Sequence, residues 1–141
     1  QIEKYEKSIK IIQEHGIVVF GAFVFGFPDD NIESFEEVKN FVIKNKIPAQ
    51  FTLLTPIPGT SIYKDLKNKN KLLKNKFWEE CSFFSLLFQH QNLSKNIAEK
   101  EIVKLHDIIF NEKNTFERNK YMINIYKKLP PRWAYFNKAV I

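Results

Sequence analysis

The sequence predicts an α/β fold, and three observations carry that prediction. Residues 16–30 (GIVVFGAFVFGFPDD) run as a nearly unbroken apolar, β-branched and aromatic segment into a glycine-proline loop. Residues 50–54 do the same on a smaller scale and lead into the hexad Thr55-Pro56-Ile57-Pro58-Gly59-Thr60. Between them Ile32, Phe35, Val38, Phe41 and Val42 recur at helical spacing. A strand, helix, strand unit this short is a βαβ crossover with parallel strands, so both loops are predicted to leave the same edge of one sheet. At the carboxyl ends of parallel strands the loops converge on ligands. The two loops therefore predict one shared site.

Taken in order, Ile2, Tyr5, Ile9 and Ile12 share a helical face, and Gly16 follows as a left-handed stop. Residues 17–25 are apolar enough to predict a strand covered on both faces. Gly21 interrupts it, which suggests close packing or the approach of a ligand. After Pro28, either Asp30 with Glu33 or Asn31 with Ser34 can cap the next helix. That helix is predicted to end near the lysines at 44 and 46, which complement its negative terminus. Pro48 precedes the second strand.

From Ser61 the character changes. Ile62, Tyr63 and Leu66 predict a short helix, residues 67–76 an exposed turn, and residues 83–88 an edge strand or buried extended piece. Ser94 opens a helix carrying Ile97, Val103, Leu105, Ile108, Ile109 and Phe110. Another is predicted over 116–128, ended by Leu129-Pro130-Pro131, with the start of a further helix over 132–141.

Gly26-Phe27-Pro28-Asp29-Asp30, a helix, and then the hexad resemble the last two βα units of the radical S-adenosylmethionine (SAM) barrel, in the subgroup that often has an N-terminal cobalamin-binding domain. In that family the first of these strands bears Gly-x-Ile-x-Gly-x-x-Glu beside the SAM adenine. The matching register here is Ala22, Val24, Gly26 and Asp29, of which Gly26 is identical. The hexad is the more specific signal, and Leu53, Leu54 and Thr55 stand where the family packs against adenine. The resemblance covers roughly the first eighty residues firmly and the rest loosely. It implies a partial (β/α) TIM-like barrel over 1–60 followed by a mainly α-helical extension over 61–141. The cofactor-proximal residues it implies are Ala22, Val24, Gly26, Asp29, Leu54 and Thr55.

The same resemblance implies SAM and a [4Fe–4S] cluster in the parent enzyme, with cobalamin an option of the subgroup. Three thiolates hold that cluster. Cys81 is the only cysteine, so the cluster ligands are not in this chain. The chain also begins on Gln1 within a helical pattern, and it is expected to be the C-terminal part of a longer enzyme, partnered by the missing N-terminal half and a small-molecule substrate.

Composition narrows the alternatives. With 44% apolar residues and fourteen Phe, the chain has ample material for a packed core, which argues against disorder. No run approaches the roughly twenty apolar residues needed to span a bilayer. A cytoplasmic location is expected. Residues 1–60 hold six Lys and eight acids, giving −2, whereas 61–141 hold sixteen Lys or Arg and eight acids, giving +8. The basic half is read as a solvated lysine surface, because Lys outnumbers Arg, whose fork suits phosphate better. A basic nucleic-acid-binding module and a non-catalytic remnant of the barrel are the competing readings.

Other chemistry-bearing residues have structural explanations. Asp29 and Asp30 before a helix more often serve its N-terminus than general acid/base work. His15, His90 and His106 lack metal-ligand spacing, and Cys81 beside Trp78, Phe83 and Phe84 reads as a buried apolar residue. Tyr63, Trp78, Phe83 and Phe84 pack a core, or line the substrate side of the site.

Overall fold

A computed structural model of the chain describes residues 2–73, 79 and 81–128. Among these, five helices and two strands follow in the order α1 (Ile2–Glu14), β1 (Gly21–Phe25), α2 (Ile32–Asn45), β2 (Ala49–Leu53), α3 (Ser61–Asn68), α4 (Lys95–Ile109) and α5 (Glu112–Tyr126). The two strands pair directly. Gly21 donates its N–H to Pro48 at one end, and Leu54 donates to Phe25 at the other, so both strands run the same way. The parallel arrangement predicted from the crossover is present, and both loops leave one edge.

β1 is shorter than the predicted 17–25. It begins at Gly21 because that is where a partner backbone first lies alongside, and Ile17 and Phe20 before it are 56% and 59% exposed. Nor is it covered on both faces. Phe25 is buried, whereas Val24 is 42% exposed. Parallel pairing on one side with helices beneath covers one face only, so the alternation of a half-buried strand replaces the expected continuous burial.

α1 stops as predicted, with Gly16 at φ 80°. Its predicted apolar face is not buried as a unit. Ile9 is buried, while Ile2, Tyr5 and Ile12 are exposed, and the second buried position belongs to Gln13. An amide is tolerated there because it is satisfied: Gln13 Nε2 donates to the Asn45 carbonyl at 3.2 Å and Oε1 accepts from Tyr121 at 3.1 Å.

Of the two caps weighed for α2, the Asn31 and Ser34 pair forms. The Ser34 N–H donates to Asn31 Oδ1 at 3.2 Å, and the Asn31 N–H donates to Ser34 Oγ at 3.1 Å. This is a reciprocal capping box with a shorter acceptor than glutamate. α2 ends on Asn45, and Lys46 turns left-handed at φ 50°. Thr60 and Ser94 cap α3 and α4, each accepting from an N–H three residues on. α5 begins four residues before the predicted start, because Asn111 accepts the Asn114 N–H at 2.8 Å and serves as its N-cap.

Residues 83–88 divide. Leu86, Leu87 and Phe88 are buried, and Phe88 bridges antiparallel to Leu72, whereas Phe83 has φ 62° and Phe83 and Phe84 are each 48% exposed. The predicted helix stop at 129–131, the helix over 132–141 and Trp78 lie outside the described residues.

The chain folds as two compact units that interleave along the sequence, one drawing on residues up to Gly21, on Asn40–Ala49 and on Ile109 onward, the other on Ala22–Lys39 and Gln50–Ile108. The first buries Ile9, Val42, Ile47, Ile109 and Ile125. The second buries Phe25, Phe35, Phe51, Leu53, Leu86 and Ile102. Among the described residues no helix is long and apolar enough to cross a membrane.

Candidate strand-end site

Within the second unit, the two faces of the strand pair differ. On the inner face Phe23 stacks on Phe51 with ring centroids 5.9 Å apart, and Phe25 stacks on Phe35 at 4.1 Å. Alternation then places Ala22 and Val24, with Gln50 and Thr52, on the opposite face. Ala22 and Val24 are exposed there, and Gly26 and Leu54 continue that register past the strand ends. Four of the six predicted cofactor-proximal residues, Ala22, Val24, Gly26 and Leu54, thus share one face. Thr55 follows Leu54 and turns its hydroxyl back to the Leu53 carbonyl at 3.3 Å.

The loop at 26–30 is held from inside and outside. Inside, Asp30 Oδ2 accepts the Gly26 N–H at 2.8 Å and the Phe27 N–H at 2.9 Å. The second carboxylate of the pair is therefore a backbone ligand of its own loop, and Asp29 is left exposed. Outside, three consecutive side chains grip the loop's carbonyls. His90 Nε2 bonds to the Phe27 carbonyl at 2.7 Å, Gln91 Nε2 donates to Pro28 at 2.7 Å, and Asn92 Nδ2 donates to Pro28 and Asp30 at 3.3 Å. The tautomer of His90 follows from its partners. Nδ1 accepts from the N–H groups of Asn92 and Leu93, both at 3.1 Å, so Nε2 carries the proton. With a bond at each nitrogen, the ring is a strut between the 90–93 segment and the loop.

Gly26 has φ 106°, a conformation that L side chains rarely adopt. A Cβ there would lie 3.3 Å from Leu54 Cβ and 3.5 Å from Leu86 Cδ1. The glycine is thus required by backbone angle and by packing against Leu54 and Leu86. The hexad is looser. Pro56 is buried and Ile57 is half exposed, while Gly59 at φ 94° has open space where a Cβ would go. Thr60 closes the turn, donating its hydroxyl to the Ile57 carbonyl at 2.6 Å and accepting the Tyr63 N–H.

At the carboxyl ends of the strands lies a cleft of about 300 Å³, with Gly26 and Leu54 on its floor, Ile62 and Phe88 among its apolar walls and Lys69 and Lys71 on its rim. Its size and mixed lining suit a small ligand with an apolar body. Of the aromatics weighed for the substrate side, Phe83 and Phe84 are exposed, and Tyr63 is half-buried on α3 beneath Lys67, whose Nζ lies 5.9 Å from the ring centre. Cys81 is half-buried, against the expected burial, because the exposed Phe83 and Phe84 do not enclose it. His15 bonds the Ile11 carbonyl at 2.8 Å in its own helix. Sequence reasoning missed the grip of His90, Gln91 and Asn92; the run of three hydrogen-bonding side chains just before the Ser94 cap was its only local sign.

No family model matches the chain. It is similar to bacteriochlorophyllide d C-12(1)-methyltransferase of Chlorobaculum tepidum, 26% identical over 137 residues, which is 96% of this chain and 28% of that protein. It is also similar to the bacteriochlorophyllide d C-8(2)-methyltransferase of the same organism, 27% identical over 120 residues, 84% of this chain and 26% of the relative. An uncharacterized methyltransferase of Pyrococcus horikoshii is 37% identical over 67 residues, covering 47% of this chain and 15% of that protein. The chain thus spans about a quarter of the length of the two relatives it matches over most of its own length.

Proposed function

We propose that this chain supplies the C-terminal part of a SAM-dependent methyltransferase of the radical SAM class: the last βα units of its barrel over 1–60 and a helical extension over 61–141. The observation that carries this reading is the similarity to a methyltransferase along 96% of the chain, a stretch that includes both strand-end loops. The geometry is compatible with it. Ala22 and Val24 present a small, apolar, exposed surface to a planar base, and Gly26 and Leu54 join that surface to the cleft. When bound, SAM supplies the group transferred. The residues of this chain position it, and the segment after the hexad shields the cleft from water.

In this reading Asp29, exposed at the loop tip, is the acidic contact of the cofactor, and Thr55 borders the adenine. Cys81 cannot by itself hold a [4Fe–4S] cluster, so the cluster, and cobalamin where it is used, are held by the N-terminal half of the enzyme. The substrate is a small molecule.

The test is Val24→Asp in the whole enzyme. Val24 is 42% exposed, so the substitution leaves the melting temperature close to that of the parent, while a carboxylate against the adenine weakens SAM binding by about tenfold or more. Calorimetric SAM titration of a well-folded variant with unchanged affinity would sink the reading.

A further inference from the structure

The first unit holds a pocket of its own, walled by Val42, Ile43 and Ile109 as well as by charged side chains. It encloses about 280 Å³, and three cations line it: Lys46 after α2, and Lys113 and Arg118 on α5, with Glu117 the one acid among the lining side chains. Arg118 is the informative member. It is 7% exposed, deeper than any other charged residue described. Nη1 donates to the Ile109 carbonyl at 3.0 Å, Nη2 to Thr115 Oγ1 at 3.2 Å, and the guanidinium lies 5.3 Å from the centre of the Phe110 ring.

Those contacts use two of five N–H donors and supply no counter-charge beyond the carboxyl end of α4. Among the described residues no carboxylate pairs with Arg118. Burial lowers its pKa, yet a guanidinium stays charged in proteins. A buried cation without an anion is costly, and it is relieved by a ligand that brings one.

Lys46 gives an independent sign. Its φ of 50° places it in the left-handed conformation that follows a helix end, where glycine or asparagine is the natural choice. A lysine there accepts backbone strain, and it lines both this pocket and the neighbouring hollow that holds Tyr121, whose ring centre is 5.2 Å from Nζ. Strain retained at a pocket wall is what a side chain with a task produces.

We infer that the pocket formed by Lys46, Lys113 and Arg118 binds a phosphate-bearing small molecule. The arginine fork offers paired donors to a tetrahedral oxyanion and the two lysines add point charge. The inference does not depend on the methyltransferase reading.

Inorganic pyrophosphate titrated calorimetrically into the full-length protein is the probe. Saturable binding at one site is expected, weakened about tenfold by Lys46→Asn and by Lys113→Gln, and more by Arg118→Lys. Lys46→Asn is the decisive variant, because asparagine suits the left-handed angle, so affinity falls while the melting temperature holds or rises. Binding that both lysine variants leave intact would overturn the site, as would the absence of saturable binding. Citrate binding as tightly as pyrophosphate would overturn the choice of phosphate, and a single-stranded oligonucleotide binding more tightly would replace the small molecule with nucleic acid.

Discussion

The loop at 26–30 is held by side chains as far as 64 residues away, whereas the loop at 55–60 is closed by its own Thr60. Both leave the carboxyl ends of adjacent parallel strands, and both contain a glycine at positive φ, 106° at Gly26 and 94° at Gly59. They are nevertheless different devices. In the first, Asp30, His90, Gln91 and Asn92 fix the backbone from two sides, and Leu54 and Leu86 fill the space next to Gly26. In the second, proline stiffness and the N–H and hydroxyl of Thr60, both donating to the Ile57 carbonyl, close the turn, with open space beside Gly59. The first loop is therefore a wall of the cleft braced from elsewhere in the chain, and the second is a self-contained turn that leads into α3.

Substituting the two glycines gives the sharpest break of that comparison. Gly26→Val places a β-branched residue at φ 106° with its Cβ 3.3 Å from Leu54 Cβ, so backbone strain and overpacking add, and the loss should reach about 3 kcal/mol or more. Gly59→Ala meets the strain alone, about 1–2 kcal/mol. Denaturant melts of both variants check the ranking. Equal losses would mean that the neighbours of Gly26 yield freely. SAM titration of the folded Gly26→Val enzyme adds a second arm, since affinity lost beyond the stability effect would place the cofactor against the backbone at 26.

The next effect in size is at Asp30. Removing its carboxylate strands two N–H groups, one of them on the buried Gly26, and Asp30→Ala should cost about 2–3 kcal/mol. Asp30→Asn keeps an acceptor oxygen and should lose less. Asp29→Ala, one residue earlier and exposed, should leave the melting curve unchanged to within about 0.5 kcal/mol. If the two aspartates proved equal, the grip of His90, Gln91 and Asn92 would be holding the loop by itself.

How much of this was legible in the sequence depended on range. Gly16, Thr60 and Ser94 act on groups within four residues, and their roles were readable because the chemistry is local. The parallel pairing of β1 and β2 was readable because a short crossover leaves few topologies. The start of β1 was not, since residues 17–20 differ from 21–25 only in lacking a partner strand. Gln13 and Arg118 were unreadable for a related reason: their burial depends on acceptors and donors at Asn45, Tyr121 and Ile109 that the fold brings to them. At the site, the shared face of Ala22, Val24, Gly26 and Leu54 followed from alternation. The clasp from His90 to Asn92 joins segments more than sixty residues apart, and the run of hydrogen-bonding residues at 90–92 does not say what it grips.

The smallest effect sharpens the contrast from the side of the second loop. Thr60 has two bonds that Thr60→Ala removes together: the hydroxyl to the Ile57 carbonyl, which closes the turn, and the acceptance of the Tyr63 N–H, which caps α3. Both bonds are exposed, so water replaces what is lost and no buried group is stranded. Loss of an N-cap in such a setting costs about 1 kcal/mol. Because α3 buries no residue fully, it has little packing to oppose fraying once the cap is gone. Amide hydrogen exchange should therefore quicken at residues 61–66 while protection in 26–30 is unchanged, since no bond of the clasp involves Thr60. Thr60→Ser should restore protection, as serine keeps the oxygen. Exchange that quickened in both loops together would show the turn and the wall to be one cooperative unit, and the distinction between them would fail.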